Sequence, residues 1–229
     1  MSKFYTGTPR NDRAQLVRLG QELKYRGCYV GEHPLFGGVA PVHMKGSKHD
    51  TADALDINKS WVTWGNAQAG EDEFFDRLSM ELMARGWGVI WNRGRGDHDK
   101  HLHVENIRWK SENYSGRVNL KTRRTPWRAN LVVDGKRGPK TITALQLSMG
   151  TFVDGKMDWG GSLGKALQAF LNTELNAGLV IDGKCGRLTQ QALSRYFNMG
   201  ITNHNYITQG QWRRIQRRLN KYGHIGRDA

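Results

Sequence analysis

The sequence predicts an α+β protein in two parts: a mixed α+β region with a small antiparallel sheet, then a mostly α-helical region of two repeats. Three observations carry this. Helix and strand patterns interleave irregularly in the first half, which argues against a regular βαβ order. A set of residues in the second half recurs at a constant offset of 48. Charge also divides the chain, with 15 Lys and Arg against 14 Asp and Glu in residues 1–108, and 20 against 7 in residues 109–229. The second half therefore holds +13 of the net charge of +14, while six of the eight histidines lie in the first half.

In the first half, Leu16, Leu19 and Leu23 keep helical spacing across residues 11–26. Phe74, Phe75, Leu78, Leu82 and Met83 do so across 72–84, behind the acidic Glu71, Asp72 and Glu73 that suit a helix N-terminus. Strands are predicted at Cys28–Val30, Ala54–Ile57, Trp87–Trp91 and His101–Val104. Residues 110–127 are polar and basic without a sustained period and read as a linker, giving domains at 1–109 and 128–229.

The repeat follows the linker. Val133-Asp134-Gly135-Lys136-Arg137-Gly138, with Thr141, Ala144 and Leu145, matches Ile181-Asp182-Gly183-Lys184-Cys185-Gly186, with Thr189, Ala192 and Leu193. Leu167-Gln168-Ala169-Phe170-Leu171-Asn172 matches Ile215-Gln216-Arg217-Arg218-Leu219-Asn220 at the same offset. Asp-Gly supplies a turn that tolerates positive φ. Thr141 and Thr189 are expected to cap helices, and the Leu-Gln-x-x-Leu-Asn segments to form further helices that end at Asn172 and Asn220 in the left-handed conformation.

Composition excludes several classes. With 38% hydrophobic and 10% aromatic residues the chain is globular rather than disordered. No apolar run approaches the roughly 20 residues that span a bilayer, so no membrane insertion is expected. The charged beginning lacks an apolar core, so no signal peptide is expected. Cys28 and Cys185 are the only cysteines, which argues against a disulfide framework and for synthesis in a reducing compartment.

The chemistry lies with the histidines. Strand alternation puts His101 and His103 on one face, about 6–7 Å apart at about 3.3 Å per residue. A carboxylate from the segment Ser47–Ile57, which also carries His49, would complete a divalent site. Zinc accepts imidazole nitrogen and carboxylate oxygen, and a catalytic site keeps a fourth position for water.

Ser47-x-His49-x-x-Ala52-x-Ala54-x-Asp56 resembles the S-x-H-x-x-G-x-A-x-D motif of the zinc D-alanyl-D-alanine carboxypeptidase and hedgehog-like metallopeptidases. His101-x-His103 resembles that family's closing H-x-H, and the resemblance covers roughly residues 10–108. Ala52 stands where the family has glycine, a change expected to leave the ligands in place. The resemblance implies one zinc ion on His49, Asp56 and His103, with His101 beside the bound water or the developing oxyanion. One branch places a glutamate three before the last ligand, where this chain has Lys100, and that branch is disfavoured. Other branches have a histidine five before or an acid six before, matching His98 and Asp97. The general base stays open among His98, His101 and Asp97, with His98 and His101 favoured as the catalytic pair. His43 matches a further hedgehog-like position, Ser47 is expected to shape the turn, and His33, His204 and His224 read as structural or surface residues.

The repeated segments resemble peptidoglycan-binding repeats of cell-wall hydrolases over residues 128–222, in permuted order. Together the two resemblances imply a bacteriophage endolysin. It would be a monomer held in the host cytoplasm until released to the wall, there hydrolysing a peptide bond that involves a D-amino acid. D-alanyl carboxypeptidase or D,D-endopeptidase activity is favoured. The basic half suits peptidoglycan and anionic wall polymers, with Arg213, Arg214, Arg217 and Arg218 the densest cluster, while Trp127, Trp159 and Trp212 could stack on sugars or pack in a core. Two rivals remain: a wall-binding protein with a structural or inactive zinc site, and a histidine-metal nuclease. The repeat and the near-neutral charge around the histidines argue against the nuclease, so no nucleic-acid partner is expected.

Overall fold

A computed structural model of the chain describes residues 10–41, 43, 45–58, 71–91, 101–107, 128–158 and 160–226. Asp97, His98, the linker at 110–127, Trp127 and Trp159 lie outside the described residues. The elements are α1 (Arg13–Tyr25), β1 (Tyr29–Gly31), β2 (Ala54–Asn58), α2 (Glu71–Ala84), β3 (Gly88–Ile90), β4 (Leu102–Glu105), α3 (Pro139–Met149), α4 (Ser162–Leu175), α5 (Arg187–Tyr196) and α6 (Gln209–Tyr222). Contacts within the chain group into two compact units, one comprising Gly27–Thr125 with the segments before Gln21 and after Ile225, the other Pro126–Ile225 with Gln21–Arg26.

The four strands form one antiparallel sheet in the order β1-β2-β4-β3. Central β2 is buried along its whole length, which is why Ala54, Leu55 and Ile57 follow one another without exposed positions between them. Leu16 and Leu19 of α1 are fully buried, and α2, whose Phe75, Leu78 and Leu82 are buried, packs against β3. The Phe75 and Trp91 rings lie 4.9 Å apart, and the Trp91 indole N–H donates to Asp76 at 3.0 Å.

The second unit is helical around a core that includes Leu145, Leu167, Phe170, Leu193, Trp212, Ile215 and Leu219. Residues 48 apart do the same work here. The Gln168 amide accepts from Gly183 N at 2.6 Å and donates to Asp182 Oδ1 (2.8 Å), Lys184 O (3.1 Å) and Thr189 Oγ1 (3.3 Å). The Gln216 amide accepts from Gly135 N at 2.8 Å and donates to Asp134 Oδ1 (3.0 Å), Lys136 O (3.1 Å) and Thr141 Oγ1 (3.1 Å). Asn172 brackets the N–H and C=O of Leu179, and Asn220 those of Leu131. Gln168 precedes its turn by 14 residues, whereas Gln216 reaches back 82 to the first turn, so α6 closes the unit against its beginning.

Two local expectations are corrected and one turn is added. Thr141 and Thr189 do not cap α3 and α5: Gly138 and Gly186 hold those positions without side-chain bonds, and the threonine hydroxyls accept from the glutamines instead. Asn172 and Asn220 lie inside their helices, which end at left-handed Asn176 and Gly223. A third Asp-Gly-Lys turn, missed in the pattern, sits at Asp154–Lys156 and is clasped by Gln146 in the same manner. Gly135, Gly155 and Gly183 have φ of 77°, 70° and 78°, the left-handed region that admits glycine without strain.

Candidate metal centre

The sheet register builds the site. Asp56 on β2 lies directly opposite His103 on β4, so a carboxylate and an imidazole meet across the ladder. The period of two along β4 brings His101, His103 and Glu105 to the same face. His49 comes from the turn leading into β2. Asp53 ties that turn down: it is buried, takes both Arg13 bonds at 3.0 Å, and accepts from Thr51 Oγ1 and Asn106 Nδ2. Ser47 Oγ accepts from His49 N at 3.3 Å, so Ser47 shapes the turn.

Three atoms converge. His49 Nε2, His103 Nδ1 and Asp56 Oδ1 form a triangle with sides of 3.1, 3.0 and 3.3 Å. Tetrahedral coordination with bonds of about 2.0 Å puts ligand atoms about 3.3 Å apart, so the triangle matches one face of such a site. His49, Asp56 and His103 are all buried and could hold one metal ion.

The nitrogens turned away from the triangle are locked. His49 Nδ1 donates to the Glu32 carbonyl at 2.6 Å, and His103 Nε2 donates to Glu105 Oε2 at 3.2 Å. Each bond holds a ring proton on the outer nitrogen, so that the nitrogen facing the triangle is the one that would turn a lone pair to an ion. Glu105 is held in turn by Lys48, 3.1 Å from its other oxygen. His43 donates to Glu32 Oε2 at 2.9 Å and stacks on His49 with centroids 4.5 Å apart. Glu32 itself has φ of 53°, a strained conformation for a residue with a side chain.

Charge follows the geometry. Burial would raise the Asp56 carboxyl, but bonds from His103 and His49 and the positive field of His101 drive it far below its usual range. Burial would depress His103, yet Asp56 and Glu105 outweigh it and lift His103 to about 9. Glu105 is lowered against its own burial by His103 and Lys48.

Of the residues expected from the sequence, His49, Asp56 and His103 come together as expected, and His101 sits at the margin. Its Nε2 is 3.3 Å from Asp56 Oδ2, and its side chain keeps 27% of its exposure. His33 is buried, accepts from Leu35 N and has its pKa lowered by burial; His204 is exposed against Tyr206. Sequence reasoning did not assign Glu32, Lys48 or Glu105. Glu105 was findable, because the alternation that pairs His101 with His103 extends to it, whereas Glu32 acts chiefly through its carbonyl. Ala52 has φ of 56°, a left-handed conformation that this chain fills with alanine. Comparison with protein-family models, curated proteins and solved structures finds no match to this chain.

Proposed function

We propose that this chain is a zinc metallopeptidase that hydrolyses a peptide bond involving a D-amino acid in bacterial peptidoglycan, acting as a phage endolysin. The observation that carries the reading is the buried triangle of His49, Asp56 and His103 with both outer imidazole nitrogens locked by acceptors. Two nitrogens and one oxygen form a donor set that suits zinc. The two spaced motifs, matching the metallopeptidase pattern in order, favour the same ion.

When bound, zinc supplies Lewis acidity and an acidified water near neutral pH. The chain's residues do the rest. Glu105 and the Glu32 carbonyl orient the ligand rings, and Lys48 fixes Glu105. His101, partly exposed at the margin, would donate to a developing oxyanion. Proton transfer from the nucleophile to the leaving amine falls to His98, His101 or Asp97, with the first two the favoured pair. D-Alanyl carboxypeptidase or D,D-endopeptidase activity is the favoured specificity.

The second unit is read as a domain of two wall-binding repeats. Glutamine and asparagine clasps recurring 48 residues apart support that reading, and a charge of +13 suits an anionic wall. The enzyme would remain in the host cytoplasm until release.

The test is digestion of purified peptidoglycan with and without chelator, read by mass spectrometry. New free amines without new reducing ends, lost with chelator and restored by zinc, are expected, and fragment masses would name the bond. Intact wall that still sediments the protein would leave a binding protein; cleavage of plasmid with intact wall would point to a nuclease.

A further inference from the structure

The second unit carries an open cavity of about 560 Å³ lined by Arg137, Lys184, Cys185, Gly186, Asn205, Tyr206, Ile207 and Trp212. Its buried lining is apolar, from Trp212, Ile207 and Cys185, each at most 6% exposed. Its exposed lining is polar and cationic: Arg137, Lys184, Asn205 and Tyr206. Among the described residues, none that lines it is acidic. Burial pushes the Cys185 thiol up to about 12, so it contributes a neutral surface rather than a nucleophile.

Both cations stand on rigid turns. Lys184 N donates to Asp182 and its carbonyl accepts from Gln168; Lys136, beside Arg137, makes the matching bonds to Asp134 and Gln216.

Part of the lining departs from what the fold duplicates, while Lys184 and Gly186 belong to the repeated turn. Gln168 and Gln216, Asn172 and Asn220, and the Asp-Gly turns recur at an offset of 48 because each holds the backbone together. The same offset carries Arg137 to Cys185, and Gly164 to Trp212. At Gly164 a side chain would run into the Gly183 backbone, so that space is filled by chain. At the repeat counterpart of Trp212 the chain has Gly164, so part of the cavity is built from positions that the two repeats do not share.

We propose that this cavity binds a sugar bearing an anionic group, with the ring against Tyr206 and the apolar floor and the anion between Arg137 and Lys184. An aromatic side chain beside a cation pair suits a pyranose with a carboxylate or phosphate substituent: apolar ring faces pack on the aromatic, and the anion takes charge-assisted bonds. The proposal rests on the wall-binding reading for the polymer from which that sugar comes, either the carboxylated glycan or a phosphate-bearing wall polymer.

The experiment follows backbone amide resonances of residues 184–186 and 205–207 in the full chain while it is titrated with N-acetylmuramic acid, N-acetylglucosamine or N-acetylglucosamine 6-phosphate. The carboxylated sugar is expected to shift these amides with at least roughly tenfold higher affinity than the neutral one, and Arg137→Gln/Lys184→Gln to lose about that factor at an unchanged unfolding midpoint. Tighter binding of N-acetylglucosamine 6-phosphate than of N-acetylmuramic acid would support anion recognition and assign a phosphate-bearing wall polymer as its source. Equal binding of acid and neutral sugar, no shift with any of the three, or wild-type affinity in the double variant would overturn the proposal. Sedimentation with purified walls separates the two readings. Protein that sediments but shows no shift refutes the cavity alone; protein that does not sediment refutes wall binding.

Discussion

Glu105→Ala tests whether the second layer of the metal centre governs metal affinity. In the structure Glu105 accepts from His103 Nε2 at 3.2 Å and pairs with Lys48 at 3.1 Å, with its side chain only 13% exposed. Solvent therefore screens the contact little. A hydrogen bond to a charged group contributes about 1.5–3 kcal/mol, and loss of an outer-shell partner typically costs about 10–100-fold in metal affinity. The two ranges agree, since tenfold is about 1.4 kcal/mol. A second effect opposes the first. Glu105 helps to lift His103 to about 9, so near neutral pH an ion must displace a proton that the variant holds less tightly. The difference between wild type and variant should thus widen from pH 7 to pH 8.5. The assay is competition for zinc against a chromophoric chelator at both values, with Glu105→Gln as the milder change because its amide oxygen still accepts. A folded Glu105→Ala protein that binds zinc within about twofold of wild type at both pH values would refute the argument.

Three further outcomes are expected. Ala52→Gly removes the left-handed strain at φ 56°, about 1–2 kcal/mol, against about 0.4–1 kcal/mol of added unfolded-chain entropy, so denaturant unfolding should show a neutral to slightly stabilised protein. A clear loss of stability would contradict this. Gln216→Ala leaves the buried Gly135 N–H without its acceptor, and should cost about 1–3 kcal/mol in urea unfolding, whereas an unchanged midpoint would show that the clasp is dispensable. In chelator, His103 has a folded pKa raised from 6.5 to about 9, so its contribution is complete below about pH 6.5 and fades as the pH rises through 9. Asp56 is depressed instead, so its contribution is present above its ordinary range and is lost on acidification. Thermal unfolding of the metal-free protein should therefore weaken from pH 7 to 9.5; a midpoint that rises over that interval would count against the assignment.

The sequence by itself determined the elements and singled out the histidine segments. Apolar spacing located α1 and α2, short β-prone runs located the strands, and alternation paired His101 with His103, because these are local consequences of 3.6- and 2-residue periods. The constant offset of 48 marked the duplicated clasp residues, although their partners could not be read from it. Tertiary structure alone decided those partners. Thr141 and Thr189 fit a capping pattern locally, but buried glutamines need acceptors, and Gln216 finds Thr141 only because α6 returns to the first turn. The same holds at the metal centre. The register of β2 on β4 sets Asp56 opposite His103, and a carbonyl at strained Glu32, 17 residues before His49, fixes which imidazole nitrogen faces the triangle. A backbone carbonyl has no residue type to betray it, so nothing short of the folded chain could reveal that contact.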